Sequence, residues 1–589
     1  MINEREFFTK DGKLVPGFRG IGPFVGRRVY EFSRDEQTLL NYWWTNIDSN
    51  VYCAKDTMPS QLWALIIGQF ARAGNSAKER SIDEYVKASK RTPELVPSLE
   101  AMASMIRKGE DVTNLMDTIN KNVGNMIETY GIGYGHGSLR DSGTVRTIFE
   151  GVSQRATKFI ESAREGAYQE VSTRAVPFTL DNLGMPLEVR GTPFEKRFLA
   201  LAQKSAMHYD RIRGAAGEWL NNKYGYLRNE ADVQVRELTG NKNAKLGDRD
   251  WNSVIESKAF DLARTLIPQF MITSLGLTLT ARRFQDQLTE LQSNEFEELR
   301  VLGRAAQIES MKIMDSLMKY GDSSPFYKEL PGRRRDLVRK FGHDKMITYG
   351  QREIKSTLIA HTPDIEDWAL ASILFNGGAN NSIVDLKNIV SQLSFDERRR
   401  IAKSQFDGRE SYELVPKTME IGSLMFERVI DIGAYRDVQR QRGDRQQATP
   451  YGVWGFYMPE EIRELRSSEL GTNFERGYEE VMFETKQLYD DLIKKGMHSA
   501  AEYALMMANT IRHVVTEDPV QAMYFEKLRA QAAGADTYRS IAIQEGEQRE
   551  QLMPAFAGLV NYDKTPRYPL NRLPEKIRMI AKERDRAKK

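Results

Sequence analysis

The sequence predicts an α+β fold, rich in helix and with small antiparallel sheets. Apolar residues recur at helical spacing over most of the chain, as they do from Val152 to Ala163. After Gly166 the spacing changes to alternation, which predicts a strand over 170–179. Residues 320–335 combine glycine, serine and proline with a run of charge and therefore predict a linker between two parts of the chain.

The predicted helices follow from amphipathic spacing and from helix-start signals. Pro59 stands where a proline favours the first turn of a helix, and apolar residues recur on one face after it. The predicted helices cover 35–47, 58–73, 81–89, 99–106, 112–130, 193–224 and 426–438.

Length and charge limit the classes of function. With 589 residues, of which 40% are hydrophobic and 28% are charged, the chain is long enough for two cores. The net charge of +3 and a pI near 8.5 give no reason to expect a nucleic acid or a membrane surface as partner, although they do not exclude nucleic acid.

Cysteine and histidine usage argues against a metal site. Cys53 is the only cysteine, so an intramolecular disulfide or a multi-thiolate metal site cannot form. The six histidines form no closely spaced pair, and we expect no metal. No signal peptide and no apolar run of roughly 20 residues is present, which predicts a cytoplasmic protein without a membrane span.

The alternating segment after Gly166 places three polar side chains on one face: Glu170, Ser172 and Arg174. An acceptor, a hydroxyl and a fixed cation in line suit an anion that carries hydroxyls, such as a nucleotide phosphate and its sugar. The alternative is a solvated strand face with an ordinary ion pair.

Three consecutive motifs surround this segment: GHGS at 135–138, EGVS at 150–153 and QEVSTRA at 169–175. Together they resemble the signature of the flavin-dependent thymidylate synthases, in which H-x-S and E-G-x-S precede R-H-R-x-x-S-x-N-E-x-S-x-R-Y. The matching positions are His136, Ser138, Arg164, Glu170, Ser172 and Arg174. The first Arg, the His, the first Ser and the final Tyr of the long motif are missing, and Gln169 replaces its Asn. Arg282 and Arg300 lie in shorter elements that resemble the family's N-A-R and E-I-R.

A second set of motifs follows the predicted linker. Residues 436–447 resemble the R-H-R element as it stands in long, tandem members of the family, with Arg440 and Arg442 flanking Gln441 in place of His. Arg529 and Arg539 resemble the closing L-R and Y-R elements. We therefore expect two tandem, diverged copies: an N-terminal part (1–335), with its nucleotide-side motif at 135–175, and a C-terminal part (336–589).

The resemblance implies a division of labour, because each part lacks what the other keeps. The implied nucleotide side is Glu170, Ser172, Arg174, Arg282 and Arg300. The implied cofactor side is Arg440, Gln441, Arg442, Arg529 and Arg539, with His136 and Ser138. The implied reaction is reductive methylation of dUMP to dTMP with FAD, NADPH and methylenetetrahydrofolate, in a homodimer of tandem chains.

Two other functions remain open. A related flavoenzyme could accept another pyrimidine, free or within nucleic acid, and a continuous basic groove would distinguish it. A non-catalytic descendant could keep the scaffold alone, which the missing His in both parts favours.

Overall fold

A computed structural model describes residues 32–47, 53–70, 76–130, 139–174, 176–342, 348–410, 413–465 and 474–587. The chain divides into two compact units that do not follow its linear order. Unit 1 comprises 1–148, 165–169 and 276–340. Unit 2 comprises 149–164, 170–275 and 341–589.

The elements up to the middle of the chain are α1 (Arg34–Trp43), α2 (Ser60–Phe70), α3 (Ala77–Arg91), α4 (Leu99–Lys108), α5 (Thr113–Tyr130), α6 (Leu139–Ser142), β1 (Thr144–Ser153), α7 (Gln154–Ile160), β2 (Ala167–Glu170), α8 (Pro193–Tyr224), α9 (Tyr226–Thr239), α10 (Asp248–Ala263), β3 (Ile272–Thr280), α11 (Ala281–Gln292), α12 (Glu297–Met318) and α13 (Pro325–Phe341). The elements that follow are β4 (Lys355–His361), α14 (Ile365–Asn376), α15 (Ile383–Ser391), α16 (Phe395–Ser404), β5 (Leu424–Asp431), α17 (Ile432–Val438), β6 (Arg445–Ala448), α18 (Glu460–Glu464), α19 (Phe474–Lys494), α20 (His498–Tyr503), β7 (Thr510–Glu517), α21 (Pro519–Arg529), α22 (Asp536–Leu552) and α23 (Leu573–Ala587).

The α+β class is confirmed, and so are the predicted helices α1 to α5 and α8. Local caps explain where several of them begin. Ser33 and Ser76 each form a capping box with the glutamate three residues on, and Thr192 caps α8 ahead of Pro193. These side chains accept hydrogen bonds from backbone N–H groups that the first helical turn leaves unpaired.

The helix predicted from Val152 to Ala163 is wrong at its start, because β1 continues to Ser153 and α7 begins only at Gln154. The strand predicted over 170–179 is also wrong, because β2 ends at Glu170. Beyond it the Ser172 hydroxyl accepts from the N–H of Arg174 (3.2 Å), and the Ser172 carbonyl accepts from the N–H of Val176 (3.0 Å). These local hydrogen bonds turn the chain out of the extended form.

The helix predicted over 426–438 is a strand and a short helix. In β5 buried and half-buried residues alternate from Leu424 to Ile430, as expected of a strand between two neighbours. Asp431 then caps α17 by accepting from the N–H of Ala434 (2.9 Å). The apolar residues fit both the helical and the alternating spacing, so spacing alone did not distinguish a helix from a strand.

The predicted linker at 320–335 is wrong for most of its length, since α13 runs through it from Pro325 to Phe341. Pro325 occupies the first helical position, where its missing N–H costs nothing. None of the α13 residues is buried, which is why its composition resembles that of a linker.

The two sheets share an order of strands. The first is β1-β3-β2, and the second, β4-β5-β7-β6, contains β5-β7-β6 in the same arrangement. In both, the first strand of the shared order, β1 or β5, runs directly into a seven-residue helix, α7 or α17, and a four-residue strand follows six residues later. In the second sheet β5 and β7 pair antiparallel from Leu424 opposite Glu517 to Asp431 opposite Thr510.

The core of unit 2 packs in two clusters along the face of this second sheet that carries Phe426 and Ile430 of β5. One cluster packs Phe426 and Val515 against α14, α16 and α21. The other packs Ile430, Ile432 and Ile511 against α22 and the residues around Tyr451. Burial of these aliphatic and aromatic side chains stabilises the sheet and fixes where α17 leaves it.

Candidate functional site

Helices α7 and α17 begin in the same way. Their first two N–H groups donate to carbonyls of the segment that leads into the neighbouring strand, β3 or β7. These bonds are Gln154 to Met271 (2.8 Å), Arg155 to Gln269 (3.1 Å), Ile432 to Asn509 (2.9 Å) and Gly433 to Met507 (3.0 Å). Met271 and Asn509 immediately precede their strands, and Gln269 and Met507 each lie two residues earlier. Gln154 and Ile432 therefore occupy equivalent positions, and so do Arg155 and Gly433.

The two segments that lead into β3 and β7 also pair with each other. The N–H of Gln269 donates to the carbonyl of Leu505 (2.8 Å), and the N–H of Met507 donates to the carbonyl of Ile267 (2.9 Å). Gln269 and Met507 are equivalent, as are Ile267 and Leu505, so each half of the contact repeats the other. This reciprocity is the pattern of a two-fold interface.

Charged side chains join the same two regions. Arg155 pairs with Glu502 (2.7 Å) and is stacked between the rings of Phe159 and Tyr451. At the equivalent place across the contact, Arg264 donates to the carbonyl of Gly433 (3.0 Å). These side chains are buried apart from the half-buried Phe159 ring, so their hydrogen bonds replace those that water would make.

Glu170 lies at the centre of this contact. Its carboxylate accepts from the guanidinium of Arg436 and from the ammonium of Lys158 (3.3 Å), which also pairs with Glu161. Burial alone would raise the pKa of Glu170, but the two cations outweigh it and lower that pKa. Glu170 therefore joins the two parts of the chain as a group that is ionised at neutral pH.

Arg174 points into the protein. Its Nε and Nη2 each donate to one oxygen of Asp261 (2.5 Å for both), and Nη2 also donates to the carbonyl of Ala533 (3.1 Å). Burial raises the pKa of Asp261, but Arg174 outweighs that effect and holds the pKa at about 2. The predicted phosphate-binding cation is thus already in a bidentate ion pair, whereas Ser172 is exposed.

The R-x-R element follows the end of α17. Arg440 pairs with Asp437 (3.2 Å), one turn earlier. Gln441 is buried, and with its carboxamide oriented toward Arg529 its Oε1 accepts from Nε (3.0 Å) and Nη2 (3.2 Å) of that arginine. Arg442 is exposed. The structure therefore brings Arg440, Gln441 and Arg529 together around Asp437.

The two closing arginines of the C-terminal part bind its backbone. Arg529 also donates to the carbonyl of Asp437. Arg539 is completely buried and donates to the carbonyls of Ala530 (3.1 Å), Gln531 (3.0 Å) and Thr565 (2.9 Å). Arg539 thus stabilises the loop before α22 through hydrogen bonds to its backbone.

The remaining candidates fall outside this cluster. Arg282 pairs with Asp141 (2.9 Å) in unit 1, and Arg300 donates there to the carbonyls of Asn294 (2.9 Å) and Glu295 (3.0 Å). His136 and Ser138 lie outside the described residues.

A flavin needs hydrogen-bond donors for its phosphates and its ring. Of the described residues assigned to it, Arg440, Gln441, Arg529 and Arg539 are engaged with protein groups, and Arg442 alone is exposed. As they stand, these residues do not fit a flavin, and we derive no step through one.

Unit 2 contains a cavity of about 240 Å³ beside the EGVS and S-x-R motifs. Its lining residues are Gly151, Gln154, Val171, Ser172, Thr173, Val176, Asn182, Met271, Ile272, Thr273 and Ser274. Gly151 adopts a left-handed φ of 64°, and a Cβ built there would meet no atom within 4 Å. The glycine therefore permits a backbone that an L side chain would strain.

Two buried side chains of the cavity lining have unmatched polar atoms. Gln154 has no exposed surface, and neither its Oε1 nor its Nε2 has a hydrogen-bond partner. Thr273 is 7% exposed, and its Oγ1 is likewise unpartnered. Such groups are rare in folded proteins and cost free energy unless a ligand or water satisfies them.

Over the described ranges, no three His, Cys, Asp or Glu side chains are placed to hold a metal ion. Among the described helices, none combines the length and apolarity required to cross a bilayer.

Four residues of this region were not predicted from the sequence: Gln154, Asp261, Asp437 and Arg436. Asp437 and Arg436 belong to the recognised R-D-x-x-R-x-R run, which could have indicated them. Asp261 carries no local signal, because its partner Arg174 lies 87 residues away in the sequence. Gln154 carries none, because the cavity that it lines is built from segments distant in the sequence.

Residues 358–555 match the sequence model of the thymidylate synthase complementing protein family. The match lies within the C-terminal part of the chain. A UPF0159 protein of Chlamydia muridarum is 23% identical over 570 residues, which cover 94% of this chain and 99% of that protein. A UPF0159 protein of Thermoplasma acidophilum is 25% identical over 483 residues, covering 76% of this chain and 90% of that protein.

Among solved structures, the chain is similar to a UMP/dUMP methylase PolB from Streptomyces cacaoi bound with 5-Br dUMP. The identity is 16% and the TM-score 0.29, over 36% of this chain and 96% of that one. The match to the thymidylate synthase complementing family covers β5, α17, β6 and β7, the elements that surround the R-x-R run.

Proposed function

We propose that the chain is a thymidylate-synthase-like enzyme that binds a pyrimidine nucleotide, such as dUMP, in the cavity of unit 2. One observation carries the proposal: the cavity is lined by Gly151 of the EGVS motif and by Ser172 of the S-x-R motif. These motifs are the ones whose resemblance implies nucleotide binding, and the family match over 358–555 supports the same class of enzyme.

We also propose that 1–335 and 336–589 descend from one duplicated domain. The matching strand orders, the two equivalent seven-residue helices and the reciprocal backbone pairing at Gln269 and Met507 support this. Duplication of a chain that formed a two-fold dimer would place both sides of the former interface in one polypeptide. A homodimer of the present chain stays a prediction for sedimentation analysis.

We further propose the specific reaction of the family, the reductive methylation of dUMP to dTMP with methylenetetrahydrofolate, NADPH and FAD. The family match over 358–555 supports it. The placement of Arg440, Arg529 and Arg539 does not, because a flavin would have to replace their present partners. A second candidate function, nucleotide binding without catalysis, is favoured by this same placement.

Two measurements on the purified full-length chain separate these functions. Titration calorimetry with dUMP tests the binding step, and dTMP formation with all three co-substrates tests the catalysis. We expect dUMP to bind in either case. If the chain is catalytic, the protein should show flavin absorbance and form dTMP. If it binds the nucleotide without catalysis, flavin absorbance and dTMP should both be absent. Absence of dUMP binding would refute both functions.

A pair of variants ties the binding to the cavity. Val176 lines the cavity and is 42% exposed, so Val176→Trp should fill the cavity without disturbing the core and should abolish dUMP binding. Leu180 is 46% exposed and does not line the cavity, so Leu180→Trp is the matched control and should bind dUMP normally. Equal affinity in the two variants would place the nucleotide elsewhere.

A further inference from the structure

The described lining of the cavity contains no charged side chain. Its polar groups are amides and hydroxyls, and Val171, Val176 and Met271 supply apolar surface. Arg174 follows Ser172 closely in sequence but is held by Asp261 and the Ala533 carbonyl. A phosphate dianion placed among these groups would lose part of its hydration without gaining a cation, which is unfavourable. The cavity therefore suits an uncharged ring.

Gln154 provides the groups that could read such a ring. Its carboxamide offers one donor and one acceptor side by side, and both are unmatched in a side chain with no exposed surface. The unpartnered hydroxyl of Thr273 adds a group that can donate or accept.

The fold does not require a glutamine at this position. The equivalent residue at the start of α17 is Ile432, which is completely buried and packs in the second core cluster of unit 2. An aliphatic side chain thus satisfies the same backbone environment without leaving polar atoms unmatched. Gln154 differs from other buried amides without partners, such as Gln269, because it belongs to the cavity lining, where a ligand would supply those partners.

We propose that the cavity takes the uncharged base of its ligand, that the Gln154 carboxamide pairs with an adjacent carbonyl and N–H of that base, and that any phosphate stays outside. Uracil presents such an edge at its N3–H and neighbouring carbonyls. This inference rests on the proposed binding of a pyrimidine nucleotide. It differs from the sequence-based expectation, in which Ser172 and Arg174 hold a phosphate.

The test compares deoxyuridine with dUMP by titration calorimetry on the full-length chain. Gln154→Leu removes the amide at nearly constant volume, so the variant should fold, and a thermal melt checks that it does. Gln269→Leu is the matched control, because Gln269 is also fully buried with an unmatched amide but does not line the cavity.

We expect deoxyuridine and dUMP to bind the wild type with affinities within about tenfold of each other. Gln154→Leu should weaken both by roughly ten- to a hundredfold, the usual effect of losing paired hydrogen bonds, and Gln269→Leu should leave both unchanged. If dUMP binds more than about a hundredfold tighter than deoxyuridine, the phosphate drives binding, and this inference fails while the proposed function stands. If both bind but Gln154→Leu has no effect, Gln154 does not read the base. If neither binds, the proposed function fails as well.

Discussion

Glu170 and Arg436 form a buried ion pair that links the N-terminal and C-terminal parts of the chain within unit 2. Lys158 contacts the same carboxylate (3.3 Å). Arg436 and Lys158 each occupy the fifth position of a seven-residue helix, α17 and α7 respectively. One carboxylate thus serves two cations at equivalent positions, and its loss would leave both without their shared counter-charge.

Neutralising Glu170 should therefore destabilise the fold. Removal of one partner of a buried pair typically costs about 3–5 kcal/mol, because the remaining charge is uncompensated. We expect Glu170→Gln to lower the free energy of unfolding by that order, measured by urea denaturation. Asp336→Asn, which breaks the exposed pair with Arg339, is the control and should cost less than about 1 kcal/mol. Similar losses in both variants would contradict a special role for Glu170.

Arg174 should matter for stability more than for affinity. Asp261 ionises at a pKa of about 2 in the fold against an ordinary 3.8, so the pair stabilises the protein above pH 4 and this contribution disappears as the pH falls toward 2. Arg174→Met should lower the melting temperature at pH 7 and flatten its dependence on pH between 4 and 2. A variant that melts normally but binds dUMP ten- to a hundredfold more weakly, as the sequence resemblance implies, would show that Arg174 leaves Asp261 for the ligand.

Asp444 should make the protein less stable as the pH rises. Burial raises its pKa to about 6 from an ordinary 3.8, although the Gln446 amide lowers it in part. The folded state therefore favours the protonated form. The associated stability is fully present below pH 3.8 and is lost as the pH rises through 6.

The variant Asp444→Asn keeps the shape and removes the charge. We expect it to exceed the wild type in stability by roughly 1–3 kcal/mol at pH 7.5 and to match it at pH 4, by denaturation at both values. Asp117→Asn, at an exposed site on α5, should change stability little at either pH. A difference for Asp444→Asn that does not depend on pH would rule out titration as its cause.

The two parts of the chain should depend on each other for folding. Separate expression of 1–335 and 336–589 would divide unit 2, remove the reciprocal hydrogen bonds at Gln269 and Met507, and expose residues buried around Arg155 and Glu502. We expect each part alone to be poorly soluble and the co-expressed parts to purify together. Soluble, monomeric parts with native circular dichroism would contradict this.

The sequence predicted the secondary structure correctly where the apolar residues fit only one spacing, either helical or alternating. The spacing and caps of α3 and α8 were sufficient, whereas β5 with α17 satisfied both a helical and an alternating pattern. The motif residues Glu170, Arg440 and Gln441 were found and do cluster in space. Their partners could not be predicted, because the Asp261 that holds Arg174 lies 87 residues away in sequence.

The reciprocal contact around Gln269 and Met507 also concerns how such a protein can diverge. In a symmetric pair of identical chains, every residue of the interface is present twice, once in each chain. A substitution therefore changes both sides of the interface at once and must be tolerated on both. Here Arg155 faces Glu502, while the equivalent Gly433 faces Arg264. If the two parts descend from one duplicated domain, as proposed, joining both sides in one polypeptide lets each change alone. One side can then keep a ligand cavity while the other replaces it with a stabilising core.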